Sequence, residues 1–497
     1  MTLAYATLPD VTDAELSGRS APRPDLGLTP DDLVAATGGR LLRRSDRRSR
    51  GGAVDSRRVR PGNAFVALPG ERTDGHAYLA DAVAAGAAAA VVSRLPVGDE
   101  PPLEDLGDVS VVLVEDGIRA LGGLAAAWRT RFDLLVVGIT GSVAKTSTKE
   151  AVAGVLGRRF VTLRNEGNLN NEIGLPLTVL DLAPEHEAAV LEMGMYVGGE
   201  IRDLAAIGRP QIGVVTAVQP VHLSRIGSIE AIERAKGELV EALPPAESGG
   251  VAVLNADDER VVRMDARTSA RSVTYGFAPD ADVTANAVAS AGFDGMRFVL
   301  RLGDGRTAPV RLPGLGRLAV HNALAAAAVG DAAGLPLAEI VAGLEAGWEA
   351  PHRTNVVRAG GITIVDDSYN ASPSAVRAAL DLLAGLPGRR LAVLGEMLEL
   401  GDAALDGHRS VGAAAAATVE LLVVVGQGAR DVVDGALDAG MPPQRLVFVP
   451  DRQTALETLR ARLEPGDVVL VKASRGIELD RLVADLVVGH GVDEATA

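Results

Sequence analysis

The sequence predicts a multidomain α/β protein, because the chain is long, contains a phosphate-loop motif and alternates strand-like with helix-like segments. A chain of 497 residues exceeds one hydrophobic core, and its 47% apolar content is enough for several. Aromatic residues make up only 3%, while Gly and Ala dominate, which suits helices packed closely on sheets. We therefore expect three domains, at residues 1–132, 133–349 and 350–497.

The most informative segment is GITGSVAKTSTKE at residues 138–150, which follows an apolar run and precedes an Ala/Val/Leu-rich helical pattern. This strand, loop, helix order is that of a phosphate-binding loop, in which backbone N–H groups and a helix N-terminus face phosphate oxygens. Lys145 adds a point charge, and Thr146 offers a hydroxyl to Mg²⁺. The strict eight-residue pattern fails at both glycine positions, which hold Ile139 and Ala144. The predicted nucleotide-binding residues of this loop are Gly141, Ser142, Val143, Ala144, Lys145, Thr146 and Ser147.

The remaining segments predict how each domain is built. Residues 53–92 read as two strands, a Gly-rich loop and a helix, which indicates a small N-terminal α/β domain. The central domain alternates strands and helices, which indicates a mostly parallel sheet. Shorter alternating runs at 272–312 predict an antiparallel addition, followed by an Ala-rich helix at 321–333. Apolar strands spaced by helix-length segments after residue 361 predict a doubly wound, Rossmann-like C-terminal domain.

Composition excludes several classes of function. The formal charge of −16 argues against a nucleic-acid binder. Because the chain has no cysteine, disulfides, thiolate metal sites and cysteine nucleophiles are ruled out. Residues 1–20 lack the basic start and apolar core of a signal peptide, and apolar stretches such as 411–426 are shorter than a membrane span of about 20 residues. We expect a soluble, cytoplasmic protein without integral membrane contact.

Several polar residues stand where predicted strands end. Glu192 would emerge beside the phosphate loop, where hard oxygen ligands hold Mg²⁺; alone, it would read as a solvated carboxylate. His222 follows another strand end and offers an imidazole, although a single loop histidine is usually surface or core filler. Lys236 lies in a charged helical pattern, where a lysine is ordinarily solvated. Asp366 and Asp367 are placed to accept hydrogen bonds from ribose hydroxyls or to cap the following turn.

Taken together, the ordered motifs of the chain resemble those of the Mur ligases over all three predicted domains. The segments that carry the resemblance are TGSVAKTSTKE (140–150), NLNNEIGLPLTVL (168–180), EMG (192–194), HL (222–223), AKGEL (235–239), HNALAA (321–326), DDSYNASPSAVRAAL (366–380), LGEMLELG (394–401) and VKASRG (471–476). The resemblance implies an N-terminal UDP-substrate-binding domain, a central P-loop ATPase-like domain and a C-terminal Rossmann-like ligase domain.

The same resemblance implies roles for individual residues. It implies that the catalytic residues are Lys145, Glu192, His222 and Lys236. It also implies that Mg²⁺ is held by Thr146, Glu192, His222 and a carbamylated Lys236. It also implies that Asn322, Arg353 and Asp366 contact the nucleotide, with capping of the Ala-rich helix as the alternative for Asn322. The implied substrate-binding residues are Ser56, Arg57, Arg72, Asp74 and His76 for the UDP end, and Asn370, Lys472, Ser474 and Arg475 in the C-terminal domain.

The form DDSYNASP most resembles the branch of the family that adds D-alanyl-D-alanine to UDP-N-acetylmuramoyl-tripeptide. The implied activity is an ATP- and Mg²⁺-dependent amide ligase of peptidoglycan precursor synthesis, acting through an acyl phosphate and as a monomer. Two alternatives remain: a related ligase with another amino-acid or specialised-metabolite acceptor, and a nucleotide-binding homologue with weakened catalysis. Ala144 motivates the second, because a methyl group at positive φ costs roughly 1–2 kcal/mol.

Overall fold

The structure, a computed structural model, describes residues 26–70, 73–98, 100, 102–220 and 226–490. The chain forms two compact units. The first consists of Met1–Phe132 with Leu180–Pro184, and the second of Asp133–Val179 with Glu185–Ala497.

The first unit is built on one five-stranded sheet. Its strands are β1 Arg40–Arg43, β2 Gly52–Ala53, β3 Ala64–Val66, β4 Ala89–Val92 and β5 Ser110–Leu113. Their order is β1-β5-β4-β3-β2, and only the pairing of β1 with β5 is antiparallel. The helices are α1 Pro30–Thr37, α2 Leu79–Ala84 and α3 Gly117–Arg129. A Thr29 capping box fixes the start of α1, since the Thr29 side chain and Asp32 satisfy each other's backbone N–H groups.

The second unit contains a nine-stranded sheet with the order β14-β13-β12-β11-β10-β9-β6-β8-β7. Its strands are β6 Leu135–Thr140, β7 Thr162–Arg164, β8 Ala188–Glu192, β9 Ile212–Val215, β10 Val251–Asn255, β11 Arg271–Gly276, β12 Val283–Ser290, β13 Met296–Arg301 and β14 Thr307–Leu312. Pairing is parallel from β7 to β12, and β13 and β14 add in antiparallel fashion. The predicted antiparallel addition is therefore confirmed for β12–β14 and wrong for β11, which pairs in parallel on both sides.

Helices cover this sheet and fasten the phosphate loop. They are α4 Lys145–Leu156, α5 Gly174–Leu180, α6 Glu200–Gly208, α7 Ile229–Glu241, α8 Glu259–Val262, α9 Gly316–Ala332 and α10 Leu337–Glu345. Helix α9 packs against α4, and its residues 322–330 are all buried. The Ala-rich composition explains this arrangement, because small side chains let one helix sit between a sheet and a second helix.

A six-stranded sheet completes the second unit, in the order β15-β16-β20-β17-β18-β19. Its strands are β15 Asn355–Ala359, β16 Ile362–Asp366, β17 Arg389–Gly395, β18 Leu421–Val425, β19 Leu446–Val449 and β20 Asp467–Lys472. Only β15 is antiparallel to its neighbour. The helices are α11 Pro373–Ala384, α12 Ala404–Thr418, α13 Arg430–Asp438, α14 Arg452–Arg460 and α15 Leu479–His490. The predicted doubly wound sheet is confirmed. In the part of the chain described here, no helix has the length and apolar character to cross a lipid bilayer.

Helices α12 and α13 cross at two glycines that leave no room for a side chain. A Cβ atom built on Gly412 would lie 2.0 Å from the Val432 carbonyl oxygen, and one on Gly435 would lie 2.1 Å from the Arg409 carbonyl oxygen. The obstacle in both cases is backbone, so neither contact can be relieved by a rotamer change.

We expect Gly412→Ala to push α12 and α13 apart and to lower the free energy of unfolding by about 1–3 kcal/mol, as overpacking usually does. Denaturant unfolding followed by circular dichroism measures the change. Gly385→Ala is the matched control, because Gly385 has φ of −85° and its added Cβ would meet the nearest atom at 3.5 Å. Equal midpoints for Gly412→Ala and the unaltered protein would contradict the steric argument.

Candidate active site

The phosphate loop is pressed against the end of β9. Gly141 has φ of 154°, and a Cβ atom there would lie 1.8 Å from the Thr216 hydroxyl oxygen. That hydroxyl donates to the Val143 carbonyl oxygen over 2.6 Å. Glycine at position 141 is therefore required by a close approach, and the hydroxyl it admits holds the middle of the loop.

Ser142 links the loop to the segment that follows β9. Its backbone N–H donates to the Ala217 carbonyl over 2.8 Å, and its hydroxyl exchanges hydrogen bonds with the backbone of Gln219 over 2.9 and 3.0 Å. The Gln219 side-chain oxygen in turn accepts from the Ser374 hydroxyl over 2.7 Å. Ser374 lies at the start of α11, so one hydrogen-bonded chain joins the phosphate loop to the six-stranded-sheet part of the same unit.

Ala144 adopts the left-handed conformation, with φ of 67° and ψ of −2°, immediately before α4. An L-residue in this region carries roughly 1–2 kcal/mol of strain, because Cβ crowds the backbone. Ala144 is therefore strained, as the sequence analysis expected for a position that requires positive φ.

Lys145 begins α4, and its ammonium donates to the Gly141 carbonyl oxygen over 2.7 Å. Burial lowers its pKa; the negative charge of Glu192 opposes that shift, and the positive charge of Arg353 adds to it. Glu192 and Arg353 thus both lie within electrostatic reach of Lys145. Lys145 carries the charge that a phosphoryl group requires, at the N-terminus of a helix.

Glu192 is the last residue of β8, and its side chain is only 2% exposed. One carboxylate oxygen, Oε1, accepts from the Asn170 side-chain amide over 2.7 Å. The other, Oε2, is buried and has no hydrogen-bond partner among the residues that the structure describes. A buried carboxylate oxygen is almost always paired, so this arrangement fits a divalent cation, which prefers hard oxygen ligands.

Lys236 lies on α7 and is 3% exposed, which removes it from the solvated role that its charged neighbours suggest. Burial lowers its pKa well below the usual range, and the positive charge of Lys145 lowers it further. Both effects favour the neutral amine. A buried, uncharged lysine amine is a nucleophile rather than a surface cation.

The predicted metal ligands are only partly described by the structure. Thr146 is buried at the start of α4, and Glu192 and Lys236 have the surroundings given above. His222 and Arg72 lie outside the described residues. Among the residues that are described, there is no group of three or more His, Asp or Glu side chains able to hold a metal ion. The fit to a divalent cation therefore rests on Glu192 Oε2.

Asn322 lies inside α9, which begins at Gly316, so the alternative that it caps the Ala-rich helix is wrong. The helix starts five residues earlier than predicted, and of these five residues only Val320 is buried. The Asn322 side-chain oxygen accepts from the Thr148 hydroxyl over 3.2 Å and ties α9 to α4. The preceding His321 lies 3.0 Å from the Asn255 side-chain oxygen and packs beside the Tyr275 ring.

At the end of β16, the Asp366 carboxylate is buried and internally bonded. Its Oδ1 accepts from the Ser368 hydroxyl over 2.5 Å and from the Ser368 backbone N–H over 3.1 Å. Its Oδ2 lies 2.7 Å from His352 Nδ1. The predicted capping of the following turn is therefore present. A ribose-binding role for Asp366 stays a prediction.

Two arginines flank the Tyr369 ring. The Arg353 guanidinium lies 4.1 Å from the ring centroid, and the Arg475 guanidinium lies 5.1 Å from it. Arg475 also donates to the Tyr369 hydroxyl over 3.1 Å. The ring thus brings Arg353 and the exposed Arg475 together in one cationic group. Of the two, Arg353 also acts electrostatically on Lys145.

The other predicted C-terminal residues have internal partners. The Lys472 ammonium contacts the Asp367 carboxylate over 2.6 Å and the Asn370 carbonyl over 2.9 Å. The Ser474 hydroxyl accepts from the Leu398 backbone N–H. Lys472 and Ser474 therefore shape the loop, whereas the exposed Arg475 guanidinium donates one hydrogen bond to the described residues, to Tyr369.

The first unit holds the residues predicted to bind the UDP end. Arg57 is exposed and pairs with Asp55 over 2.7 Å, which holds the Asp55 pKa at about 2, and Ser56 opens the same short 3-10 turn. The His76 side chain, in contrast, is buried: Nε2 accepts from the Ser93 backbone N–H over 2.9 Å, so Nδ1 carries the proton and donates to Asp74 over 2.6 Å. Asp74 and His76 are part of an internal network, and Arg57 remains accessible.

The sequence analysis assigned no role to Lys149, Asn165, Asn170 or Gln219. Lys149 is fully buried, and the two asparagines bond Glu192. Asn170 lies in the quoted NLNNEIG segment, which was the available signal. Lys149 likewise lies in the quoted segment 140–150, but a lysine in an otherwise polar helical turn is usually solvated.

Models of known protein families match successive parts of the chain. The family model of the Mur ligase catalytic domain matches residues 51–129, that of the middle domain matches 139–330, and that of the glutamate ligase domain matches 352–475. The chain belongs to the Mur ligase family. The resemblance inferred from the ordered motifs is thereby confirmed.

Mur ligases with similar sequences and structures carry specific names. The UDP-N-acetylmuramoyl-tripeptide--D-alanyl-D-alanine ligase of Mycobacterium tuberculosis is 40% identical, over 87% of this chain and 91% of that protein. The ligase of the same name from Escherichia coli is 36% identical, over 87% and 92%. The crystal structure of MurF from Acinetobacter baumannii matches with a TM-score of 0.81 and 32% identity, over 93% and 99%. MurF ligase from Thermotoga maritima in complex with ADP matches with a TM-score of 0.76 and 28% identity, over 88% and 97%.

We expect Ala144→Gly to raise the free energy of unfolding by up to about 1 kcal/mol, because glycine adopts positive φ without the Cβ contact. ADP affinity should change little, since alanine already adopts the loop conformation. Thermal unfolding and calorimetric titration with ADP measure the two effects. Ala287→Gly is the matched control, because Ala287 has φ of 50° in β12, away from the loop. A less stable Ala144→Gly variant would show that the strain argument is wrong.

Proposed function

We propose that this Mur ligase is a cytoplasmic, monomeric enzyme that joins D-alanyl-D-alanine to UDP-N-acetylmuramoyl-tripeptide with ATP and Mg²⁺, in peptidoglycan precursor synthesis. The observation that carries the proposal is the group formed by Lys145, the buried Glu192 carboxylate and the buried Lys236 amine around the phosphate loop. The extended similarity to ligases named for this reaction supports the choice of acceptor.

The reaction needs activation because a carboxylate is a poor electrophile. In the proposed sequence, the terminal carboxylate of the tripeptide attacks the γ-phosphorus of ATP and releases ADP. The dipeptide amine then attacks the acyl phosphate, the new C–N bond forms and phosphate leaves. Lys145 stabilises charge on the transferred phosphoryl group, and backbone N–H groups of the phosphate loop orient it.

Thr146, Glu192, His222 and a carbamylated Lys236 are proposed to hold Mg²⁺, which when bound neutralises phosphate charge. Carbamylation requires the neutral amine, which attacks CO₂; an N–C bond forms and a proton leaves the nitrogen. The lowered pKa of Lys236 supplies that neutral amine. The product is an anion, and its charge pairs favourably with nearby Lys145, whereas an ammonium would repel it.

Recognition of the two substrates is proposed to use separate groups. Arg57, with its exposed guanidinium, binds the diphosphate of the UDP end. Arg475, held by Tyr369, binds a carboxylate in the C-terminal part. Asn322, Arg353 and Asp366 contact the nucleotide. Ser56, Arg72 and Asn370 complete the proposed substrate set, and Asp74, His76, Lys472 and Ser474 act by shaping its loops.

Phosphate release tests the proposal. Purified protein with ATP, Mg²⁺, UDP-N-acetylmuramoyl-tripeptide and D-alanyl-D-alanine should release phosphate only when all four are present. Lys145→Met should lower turnover by about 100-fold or more, the usual loss when a charge-stabilising group is removed. Release that occurs with other amino acids but not with D-alanyl-D-alanine would assign a different acceptor. Release without any acceptor would reject the ligase assignment.

The Lys236 carbamate makes activity dependent on CO₂. Turnover should fall in CO₂-depleted buffer and return when bicarbonate is added, because the carbamate forms reversibly. Carbon-13 NMR of protein equilibrated with labelled bicarbonate should show a carbamate signal that Lys236→Ala lacks. The proposed modification fails if the unaltered protein shows no such signal at a pH where it turns over.

A further inference from the structure

We propose that Lys149, Asn165 and Asn170 form a positioning network that fixes the Glu192 carboxylate, so that Oε2 faces a bound divalent cation. The inference rests on the proposed function for the identity of that cation. None of the three residues is proposed to touch the reacting atoms. They act through Glu192, and each step of the network is visible in the structure.

Lys149 anchors the network to the phosphate-loop helix. Its side chain is fully buried on α4, and its ammonium donates to the Asn165 carbonyl over 2.5 Å and to the Gly167 carbonyl over 3.4 Å. The Glu150 carboxylate lies 2.9 Å away and balances the charge. A buried charge is retained only where partners satisfy it. Here two of those partners are carbonyls of the loop that follows β7.

Asn165 connects the loop that follows β7 to the backbone of Glu192. Its side-chain oxygen accepts from the Glu192 N–H over 2.7 Å, and its side-chain nitrogen donates to the Glu192 carbonyl over 3.2 Å. The same nitrogen donates to the Leu169 carbonyl over 2.6 Å. One side chain thus satisfies both backbone groups of Glu192 at the end of β8, beyond the last residue that pairs with the short strand β7.

Asn170 fixes the Glu192 side chain itself. Its side-chain nitrogen donates to Oε1 over 2.7 Å, and its backbone carbonyl accepts from the Gly194 N–H over 2.8 Å. A Cβ atom on Gly194 would lie 2.8 Å from the Asn170 side-chain oxygen, so glycine is needed for this approach. Because Oε1 is hydrogen-bonded to Asn170 and the Glu192 backbone is hydrogen-bonded to Asn165, the orientation of the Glu192 carboxylate is fixed.

The arrangement connects the two halves of the site through a single helix. Lys145 and Lys149 are four residues apart on α4, so their side chains lie on the same face. The first reaches the phosphate loop and the second reaches the loop that holds Glu192. A shift of α4 would therefore move the Lys145 ammonium and the Glu192 carboxylate together, so the distance between these two groups would be kept.

Manganese binding tests the network independently of turnover. Mn²⁺ replaces Mg²⁺ as the probe, and electron paramagnetic resonance measures its affinity for the full-length protein saturated with ADP. Lys149→Met and Asn170→Ala should each weaken Mn²⁺ binding by about 10-fold or more, the usual effect of removing a group that orients a metal ligand. In turnover assays, the Mg²⁺ concentration for half-maximal rate should rise by a similar factor.

Asn63→Ala is the matched control for Asn170→Ala. Asn63 makes two side-chain hydrogen bonds in the first unit, to the Arg60 N–H and the Arg50 carbonyl. It should cost stability without changing Mn²⁺ affinity. If Lys149→Met does not fold, Asn170→Ala decides the question, because Asn170 is only half-buried. Unchanged Mn²⁺ affinity in Asn170→Ala would overturn the proposal.

The two proposals fail in different ways. If the unaltered protein binds Mn²⁺ with ADP and the variants bind it more weakly, the network stands even when D-alanyl-D-alanine is not the acceptor. If the unaltered protein performs the ligation and the variants match its Mn²⁺ affinity, the proposed function stands and the network is rejected. A lower thermal midpoint with unchanged Mn²⁺ affinity identifies Lys149 as a structural residue only.

Discussion

The rest of the site depends on the close approach between the phosphate loop and the end of β9. Because Gly141 has no side chain, the Thr216 hydroxyl reaches into the loop and bonds the Val143 carbonyl. That contact fixes the residue before α4 in the left-handed conformation and sets where the helix begins. The direction of Lys145 follows from it, since the side chain folds back to the Gly141 carbonyl. One steric contact between the ends of neighbouring parallel strands therefore determines the position of Lys145, which is proposed to receive phosphate charge.

Charge balance around this loop accounts for the unusual surroundings of Glu192 and Lys236. Burial lowers the pKa of Lys236 and the positive charge of Lys145 lowers it further, whereas burial and the positive charge of Arg353 lower the pKa of Lys145. One carboxylate cannot neutralise both cations and a divalent metal ion at once. Converting Lys236 to an anion would remove the repulsion and double the negative charge available to a cation. The same conversion would explain why a lysine, rather than a glutamate, stands on a helix otherwise rich in acidic residues.

Sequence patterns predicted the parts of the molecule that local rules decide. The phosphate loop, the parallel strands and the doubly wound C-terminal sheet follow from apolar periodicity and turn residues, and the strand-end position of Glu192 follows from them too. The helix start at Gly316 was missed, because the N-cap residue Leu315 has no capping side chain and the exposed Arg317 and Leu318 give the first turn no regular apolar pattern. The roles of Lys149 and Asn165 were missed because they depend on contacts between segments about 16 and 27 residues apart. Those contacts are set by the strand order β6-β8-β7, which periodicity does not encode.

The energetic cost of Ala144 decides whether its departure from the phosphate-loop motif matters. Its strain, roughly 1–2 kcal/mol, is small beside the 5–15 kcal/mol of net stability common in folded domains. The loop keeps its left-handed turn despite that cost, because Ser142 and Thr216 hold it from both sides. A methyl group therefore affects stability more than geometry, and geometry is what phosphate recognition requires. Lys145 and the Glu192 carboxylate, the charged groups on which the proposed function depends, are in place, and for this reason Ala144 does not argue for a decayed enzyme.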